Sequence, residues 1–385
     1  MKVTVTKGDL SGTIEAIPSK SVAHRALICA ALSDNPIHID NLPNSKDIEA
    51  TCECIQKLLS NSESKILDCG ESGSTLRFLL PVVCALGKEC TFKMHGRLPE
   101  RPLYPLDEQM KIHGCSLKKE GDMLYVSGKL KGGIYNIPGD VSSQFVTGLL
   151  LALPLAEENS EIHISGILES KPYTDITRDI QQKFGVFSEF KDNTFYIKGN
   201  QKYISPEFFS VEGDWSNGAF WLSADALTGG KVSCTNLNTS SAQGDKEIVK
   251  ILNSLPCTVD ARDIPDLIPI VSAVASVTAG MTKIINAKRL TLKESDRLLA
   301  IDTVLSELGA DITRTDDGLI INGKSELTGG TVDSHNDHRI AMMAAIIAIK
   351  CQNPVTITRA ESVNKSYPEF WDDYKALGGK IKEEI

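Results

Sequence analysis

The chain has 385 residues, of which 41% are hydrophobic and 24% are charged, as in an ordinary globular protein. This length favours two or three domains, each long enough to bury a core. The net charge of −9 argues against a general nucleic-acid or anionic-membrane surface, so a bound anion would need a local cationic pocket.

The pattern of the chain also argues against secretion and membrane insertion. Residues 1–15 alternate like a strand and lack the apolar core of a signal peptide, and the apolar run at 340–349 is too short to span a bilayer. The ten cysteines show no paired metal-binding spacing, so we expect buried, reduced thiols. We therefore expect a cytoplasmic protein.

Six apolar, helix-like runs recur along the chain, each beginning at a residue that favours a helix N-terminus. They begin at Ser21, Ser74, Ser143, Ser216, Asp266 and Asp337. Within each set of three, a shorter interval is followed by a longer one, and both intervals are nearly the same in the two sets. This repeated spacing predicts two similar halves of three repeats each. Because the runs are apolar on nearly all sides, we expect buried helices.

Amphipathic helices and alternating strands fill the intervals between these runs. Helices are predicted over residues 47–59, 104–113 and 295–308, and strands over 123–127, 194–198, 281–286 and 319–322. Because strands alternate with helices, we predict an α/β fold, or α+β with mixed sheets.

The halves predict two domains connected by two crossings of the chain. The expected domains are residues 19–212 and residues 1–18 together with 213–385, with crossings near 17–19 and 211–214. No low-complexity linker separates them, and two short crossings suit a hinge that closes over a ligand.

Cationic residues gather around the predicted helix starts. If the six helices share an orientation, their N-termini present unpaired N–H groups that attract anions on one surface. Each single helix start can equally be an ordinary cap, but the cations together predict a site for two anionic substrates. They are Lys20, Arg25, Arg101, Lys293, Arg297, Arg339 and Lys365.

Two short segments suggest chemistry. In Lys293-Glu294-Ser295-Asp296-Arg297, a carboxylate between cations suits proton transfer beside a bound anion, although ordinary surface ion pairs at a helix start give the same pattern. Near the sixth helix, His335 and His338 would need further ligands to bind zinc, and Arg339 would repel a cation. We expect no metal there, with His338 and Arg339 facing a phosphate.

Nine motifs in order resemble those of the 5-enolpyruvylshikimate-3-phosphate synthase family, along essentially the whole chain. In the first half they are Lys20-Ser21-x-x-x-Arg25, Glu71-Ser72-Gly73-Ser74-Thr75-Leu76-Arg77, Arg101-Pro102, Gly139-Asp140-Val141-Ser142-Ser143-Gln144 and Ser170-Lys171-Pro172-Tyr173. In the second half they are Asp263-Ile264-Pro265-Asp266, Lys293-Glu294-Ser295-Asp296-Arg297, Asn336-Asp337-His338-Arg339 and Asn364-Lys365-Ser366-Tyr367-Pro368.

The resemblance implies a fold and a reaction. The fold has two similar domains, each of three βαβαββ repeats, whose buried helices point at the interdomain cleft. The reaction transfers the enolpyruvyl group of phosphoenolpyruvate to the 5-hydroxyl of shikimate 3-phosphate and releases phosphate through a tetrahedral intermediate. This is a step of the shikimate pathway to chorismate and the aromatic amino acids, and the target of glyphosate. The resemblance implies no metal or other cofactor, and no nucleic-acid or membrane partner, and we expect a monomer.

The resemblance also assigns the site residues. Shikimate 3-phosphate is expected to contact Lys20, Ser21, Arg25, Ser142, Ser143, Gln144, Ser170, Tyr173, Asp266 and Lys293. Phosphoenolpyruvate is expected to contact Lys20, Gly73, Arg101, Gln144, Arg297, His338, Arg339 and Lys365. Glu294 would protonate the methylene carbon and Asp266 would take the hydroxyl proton, assisted by Lys20.

Two positions depart from the family pattern, and two alternative functions remain. Glu71 and Arg289 stand where family members often have Asn. The first alternative is the related UDP-N-acetylglucosamine enolpyruvyl transferase, but no cysteine precedes Arg101-Pro102 as it usually does there. The second alternative is a non-catalytic anion-binding or nucleic-acid module on the same scaffold.

Overall fold

A computed structural model describes residues 1–35, 37–60 and 65–384. The chain forms two compact units, an N-terminal unit of residues Pro18–Val211 and a C-terminal unit of Met1–Ile17 with Glu212–Ile385. The chain passes from one unit to the other one residue before each boundary expected from the sequence. A hinge at these crossings remains a prediction.

The chain begins in the C-terminal unit and then builds the N-terminal one. The first two strands are β1 (Lys2–Thr6) and β2 (Gly12–Glu15). The N-terminal unit follows with α1 (Lys20–Leu32), β3 (Ile39–Asp40), α2 (Lys46–Leu59), β4 (Ile66–Asp68), α3 (Gly73–Ala85), β5 (Cys90–Lys93), α4 (Leu106–Ile112), β6 (Cys115–Glu120), β7 (Met123–Gly128), β8 (Gly133–Pro138), α5 (Ser143–Ala152), β9 (Ser160–Ser165), α6 (Lys171–Lys183), β10 (Ser188–Lys191), β11 (Thr194–Ile197) and β12 (Phe209–Ser210).

The rest of the chain completes the C-terminal unit. Its elements are α7 (Trp215–Thr228), β13 (Val232–Thr235), α8 (Ile248–Ser254), β14 (Thr258–Asp260), α9 (Ile268–Ser276), β15 (Gly280–Ile285), α10 (Arg297–Glu307), β16 (Asp311–Arg314), β17 (Leu319–Gly323), β18 (Gly330–Asp333), α11 (His338–Ile347), β19 (Val355–Thr358), α12 (Phe370–Ala376) and β20 (Lys380–Glu384). The α/β class predicted from the sequence is confirmed.

Four sheets share one topology. Their strand orders are β4-β5-β7-β6, β8-β9-β11-β10, β14-β15-β17-β16 and β18-β19-β1-β20. In each sheet, the first two strands in this order are parallel. The third strand pairs antiparallel with the second, and the fourth pairs antiparallel with the third. Three of them are therefore contiguous βαβαββ repeats. In the sheet β18-β19-β1-β20, the N-terminal strand β1 takes the place of the final strand of the repeat, and this pairing ties the start of the chain to its end.

Of the six repeats, the first, which contains α1 and α2, and the fourth, which contains α7 and α8, are shorter than the other four. Among the described residues they contain only the two-stranded parallel sheets β12–β3 and β13–β2. After α2 and α8 the chain goes to the first strand of the next repeat, β4 and β14, so neither repeat has the final antiparallel pair within the described residues.

The six apolar runs form buried helices, as their composition predicts. These are α1, α3 and α5 in one unit and α7, α9 and α11 in the other; in α9 and α11 every residue is buried. Most of them begin slightly earlier than predicted, because a polar residue one or two positions upstream is the N-cap. The caps are Ser19, Ser72, Ser142 and Asp214, while Asp337 caps α11 as expected.

The prediction that a helix begins at Asp266 is wrong. The helix α9 begins at Ile268 and its N-cap is Leu267. The reason is that the Asp266 carboxylate is bound by cationic side chains from other elements and does not cap the helix.

Two further expectations concern thiols and membranes. All ten cysteines are free, and seven of them are buried, as the sequence predicts. Across residues 1–35, 37–60 and 65–384, no helix has the length and apolar character needed to cross a bilayer.

Candidate active site

Arg297, the first residue of α10, is the centre of a buried ionic cluster in the C-terminal unit. Its side chain is 1% exposed. Its Nε donates to Asp337 Oδ2 at 2.8 Å, its Nη1 to Asp266 Oδ1 at 2.8 Å and its Nη2 to Glu294 Oε2 at 2.7 Å. One guanidinium therefore holds three carboxylates. Arg297 does not form the ordinary surface ion pairs that the sequence left open.

Asp266 is shared by two more cations. Lys293 Nζ lies 3.4 Å from its Oδ1, and Arg339 Nη2 donates to its Oδ2 at 3.0 Å. Burial alone raises the pKa of Asp266, but Arg339, Lys293 and Arg297 outweigh burial and hold the pKa well below its usual range. Asp266 is therefore an ionised hydrogen-bond acceptor at neutral pH.

Lys293 responds to the same environment. Burial lowers the pKa of its ammonium group; Asp266 opposes this shift, and Arg297 adds to it. A lysine with a lowered pKa exchanges protons more readily at neutral pH than an exposed lysine does. The segment Lys293–Arg297 thus combines an ammonium group of lowered pKa with a carboxylate, that of Glu294, held by the Arg297 guanidinium.

Asp337 belongs to one of the motifs but was not expected to be a site residue. It is fully buried, and besides Arg297 it accepts from Ser295 Oγ at 3.0 Å and from the Arg339 amide at 3.0 Å, which caps α11. Burial raises its pKa, but Arg297 more than offsets this, so the pKa is lowered. Asp337 therefore fixes Arg297 against the start of α11. We call Asp266, Lys293, Glu294, Arg297, Asp337 and Arg339 the Arg297 cluster.

The remaining expected residues of this unit lie around the start of α11. His338 is buried in its first turn, next to Arg339. Arg339 Nη1 also donates to the carbonyls of Asp266 and Ser216, at 3.3 and 3.4 Å. Lys365 Nζ donates to the carbonyl of Asn336 at 2.9 Å, so its ammonium lies just before this helix.

In the N-terminal unit, α1 carries three expected residues on its first turns. Lys20 Nζ donates to Asp47 Oδ2 of α2 at 2.9 Å. The Ser21 carbonyl accepts from Arg25 Nη1 at 2.6 Å. Arg25 also donates through Nε to Thr177 at 2.7 Å, and through Nη2 to the Tyr173 carbonyl at 2.9 Å.

Arg25 is a buried cation held by neutral oxygens. Only 2% of it is exposed, and no carboxylate of the described residues forms an ion pair with it. Burial lowers the pKa of its guanidinium to about 9. A buried charge without a counter-ion is costly, and a bound anion would relieve that cost.

Gln144, in the first turn of α5, connects this helix with α3. Its Oε1 accepts from Arg77 Nη1 at 2.7 Å and its Nε2 donates to Ser74 Oγ at 3.0 Å. The close crossing of the helices requires Gly148, since a Cβ there would lie 2.2 Å from the Arg77 carbonyl oxygen. Ser142 caps α5 through the Gln144 amide, and Ser143 is buried beside it.

Gly73 and Arg101 lie together at the start of α3. A Cβ on Gly73 would be 2.7 Å from Nη1 of both Arg101 and Arg77. The position therefore brings two guanidinium groups to a helix N-terminus, an arrangement that suits an anion. Ser170 is the N-cap of α6 with a left-handed backbone, three residues before Tyr173.

The two residues that depart from the family pattern lie in turns. Glu71 is exposed in the turn before α3. Arg289 is half-buried in the 3₁₀ turn Lys288–Leu292, and its charge contributes to lowering the pKa of Lys293.

Three residues that hold expected site residues were not predicted: Asp47, Thr147 and Thr177, all in the N-terminal unit. In the C-terminal unit, Asp245 was not predicted either; it accepts from Ser216 in the first turn of α7. Asp47 and Asp245 could have been noticed in the sequence, because an acidic residue that packs beside a buried helix is seldom left without a partner. The threonines had none, since a threonine on a helix does not reveal which residue it faces. The structure brings together no group of three or more His, Cys, Asp or Glu suited to a metal among residues 1–35, 37–60 and 65–384.

Comparisons with known proteins agree with these motifs. A family model described as EPSP synthase (3-phosphoshikimate 1-carboxyvinyltransferase) matches residues 5–65, 55–263 and 255–374. Proteins named 3-phosphoshikimate 1-carboxyvinyltransferase are similar over nearly the whole chain. The protein of Clostridium kluyveri is 45% identical over 422 residues, covering 99% of this chain and 98% of its own, and that of Clostridium perfringens strain 13 is 43% identical over 427 residues, covering 100% of both.

The 427-residue alignment covers all 385 residues, so about 42 of its positions have no counterpart in this chain. The three segments matched by the family model meet at 55–65 and 255–263. The first stretch runs from the last residues of α2 to just before β4, and the second runs from the end of α8 through β14, so they fall where the first and fourth repeats end early.

Solved structures support the fold. Two structures of EPSP synthase from Acinetobacter baumannii align with a TM-score of 0.83 and 21% identity, covering 99 and 100% of this chain and all of theirs. The family model spans nearly the whole chain, as do the two clostridial relatives at 45% and 43% identity. This chain belongs to the EPSP synthase family.

Proposed function

We propose that this chain is a 3-phosphoshikimate 1-carboxyvinyltransferase. It transfers the enolpyruvyl group of phosphoenolpyruvate to the 5-hydroxyl of shikimate 3-phosphate and releases phosphate. The names of its relatives support this activity. The observation that carries the proposal is that Arg297 holds the carboxylates of Asp266 and Glu294 on neighbouring nitrogens.

We assign the substrate contacts as the motifs imply. Shikimate 3-phosphate is bound by Lys20, Ser21, Arg25, Ser142, Ser143, Gln144, Ser170, Tyr173, Asp266 and Lys293. Phosphoenolpyruvate is bound by Lys20, Gly73, Arg101, Gln144, Arg297, His338, Arg339 and Lys365. The buried Arg25, held by neutral oxygens, supports an anion at the first group, and the guanidinium groups beside Gly73 support one at the second.

In the first step, Glu294 gives a proton to the methylene carbon of phosphoenolpyruvate while the 5-hydroxyl oxygen attacks the adjacent carbon. Asp266 takes the proton of that hydroxyl, and a tetrahedral intermediate forms. In the second step the carbon–oxygen bond to phosphate breaks, and the new methyl group returns a proton to Glu294. The cations balance the negative charge throughout.

Substrate binding adjusts the two carboxyl groups for these roles. Without substrate, three cations keep the pKa of Asp266 low, which makes it a weak base. Anions that bind to Lys293 and Arg339 offset part of that positive charge and raise the basicity of Asp266. Phosphoenolpyruvate at Arg297 likewise favours the protonated form of Glu294, which the first step requires.

The rest of the proposal concerns partners and location. The enzyme works as a monomer on two small molecules, needs no cofactor, and binds neither nucleic acid nor membrane. We place it in the cytoplasm, as expected for a biosynthetic enzyme; its net charge of −9 argues against a general nucleic-acid or anionic-membrane surface.

The test uses Glu294→Gln and the control Glu307→Gln; Glu307 is an exposed residue at the end of α10, the helix that follows Glu294. We expect Glu294→Gln to bind shikimate 3-phosphate with the wild-type dissociation constant and to lose at least about a hundredfold in turnover. Glu307→Gln should behave as wild type. Full turnover by Glu294→Gln would remove its assigned role, and binding without turnover by the wild type would leave only an anion-binding protein.

A further inference from the structure

The threonine Thr177 contacts two residues proposed to bind shikimate 3-phosphate, although it belongs to none of the motifs. Its Oγ1 accepts from Arg25 Nε at 2.7 Å and donates to the Tyr173 carbonyl at 3.0 Å. It also lies 3.1 Å from Thr147 Oγ1, which in turn accepts from Arg25 Nη2 at 3.3 Å. Both threonines are fully buried. Three helices, α1, α5 and α6, therefore meet at these two hydroxyl groups.

The hydrogen atoms in this group can be assigned. A hydroxyl has one proton, and Arg25 Nε can only donate, so Thr177 must present a lone pair to Arg25 and direct its proton to Tyr173 or Thr147. The Tyr173 carbonyl also accepts from Arg25 Nη2 at 2.9 Å. Two residues of α6 therefore hold the guanidinium, Thr177 at Nε and Tyr173 at Nη2.

The remaining donors of Arg25 show what this arrangement leaves for a ligand. Nη1 donates one proton to the Ser21 carbonyl at 2.6 Å, and Nη2 uses its protons on Thr147 and Tyr173. Of the five N–H groups, the second one on Nη1 has no acceptor among the described residues. Rotation of the guanidinium about its long axis would move this donor, and the Nε contact with Thr177 prevents that rotation.

We propose that Thr177 is a positioning residue that fixes the guanidinium of Arg25 so that Nη1 faces the anion of shikimate 3-phosphate. The proposal rests on the proposed function, because it takes shikimate 3-phosphate as the ligand of Arg25. It adds a residue of α6 that touches no substrate but determines the affinity for one of the two substrates.

The experiment compares three variants. Thr177→Val keeps the shape and removes the acceptor, while Thr177→Ser restores the hydroxyl. Thr174→Val is the matched control, since Thr174 is also fully buried on α6 and, within the described part of the chain, its hydroxyl bonds only the Lys171 carbonyl of its own helix, at 2.7 Å. For each protein we would measure the dissociation constant of shikimate 3-phosphate by calorimetry, both KM values, and the melting temperature.

We expect Thr177→Val to raise the dissociation constant and KM of shikimate 3-phosphate by about tenfold, the scale of one hydrogen bond to a charged group. The KM of phosphoenolpyruvate and kcat should stay within about twofold of wild type. Thr177→Ser should restore binding, and Thr174→Val should not change it.

Two results would overturn the proposal. One is a Thr177→Val protein that binds shikimate 3-phosphate as tightly as the Thr174→Val protein. The other is an equal loss for both substrates, which would indicate general damage to the unit. Wild-type protein that binds shikimate 3-phosphate without turnover would contradict the proposed activity alone, because the calorimetric comparison of the variants still decides the role of Thr177.

Discussion

Replacement of Asp337 by Asn tests how strongly the Arg297 cluster depends on its buried carboxylate. Asp337 is fully buried and accepts from Arg297 Nε at 2.8 Å, from Ser295 Oγ at 3.0 Å and from the Arg339 amide at 3.0 Å. An Asn can keep the cap of α11 with its oxygen, but its NH₂ group then faces the two other donors. Ser295 can rotate to accept, whereas Arg297 Nε cannot, so a buried guanidinium donor loses its acceptor and its counter-ion.

Removal of one partner from a buried ion pair costs about 3–5 kcal/mol of the free energy of unfolding. We therefore expect Asp337→Asn to lower the unfolding free energy by roughly that amount. The matched control is Asp296→Asn, because Asp296 caps α10 through the Leu299 amide at 3.0 Å and Asn caps a helix equally well. The control should change the unfolding free energy by less than about 0.5 kcal/mol.

Urea unfolding followed by tryptophan fluorescence suits this comparison. All three tryptophans, Trp215, Trp221 and Trp371, belong to the C-terminal unit, so the signal reports on the unit that contains the substitution. If Asp337→Asn and Asp296→Asn shifted the transition equally, the argument that the buried carboxylate offsets the charge of Arg297 would be refuted.

Three further predictions concern acidity and close approach. Burial and the nearby Asp266 raise the pKa of Asp245 to about 7. The protonated side chain therefore contributes fully to the free energy of unfolding below the unfolded pKa near 4, and this contribution is lost as the pH rises through 7. Relative to Asp245→Asn, the wild type should therefore lose roughly 2–4 kcal/mol of unfolding free energy between pH 4 and pH 7, and a pH-independent difference would contradict this. Gly73→Ala should raise the KM of phosphoenolpyruvate by about tenfold or more, because its Cβ would displace Arg101, while steady-state kinetics that leave this KM unchanged would count against the contact. Gly148→Ala should lower thermal stability by about 1–3 kcal/mol, because its Cβ would lie 2.2 Å from the Arg77 carbonyl, and an unchanged melting temperature would show that α3 and α5 can separate freely.

The sequence predicted the elements whose residues follow a local pattern. The buried helices α9 and α11 were visible because nearly every residue in them is apolar, and β1 because Val3 and Val5 alternate with polar residues. The caps were placed less well, since Ser19 and Ser21 are equally good cap residues and only the backbone decides between them. Asp266 was misplaced because a carboxylate before an apolar run signals a cap, whereas here three cations from distant segments bind it.

Long-range pairing could not be derived from the same patterns. The strand β1 completes a sheet with β19 and β20 from the opposite end of the chain, and nothing in its own short sequence specifies that partner. The shortened first and fourth repeats were hidden for a related reason, because the helix spacing alone does not show whether a repeat ends in two strands. Within the site, motifs identified the charged groups that we propose to bind ligands, while Thr147 and Thr177 could be recognised only from their contacts with Arg25.

The most direct test of the account is phosphate release from phosphoenolpyruvate, measured with shikimate 3-phosphate and with UDP-N-acetylglucosamine in separate reactions. We predict release with shikimate 3-phosphate alone, and loss of that release in Glu294→Gln and Asp266→Asn. Release with the sugar nucleotide alone, or with neither acceptor from a folded protein, would contradict the proposed transfer to shikimate 3-phosphate.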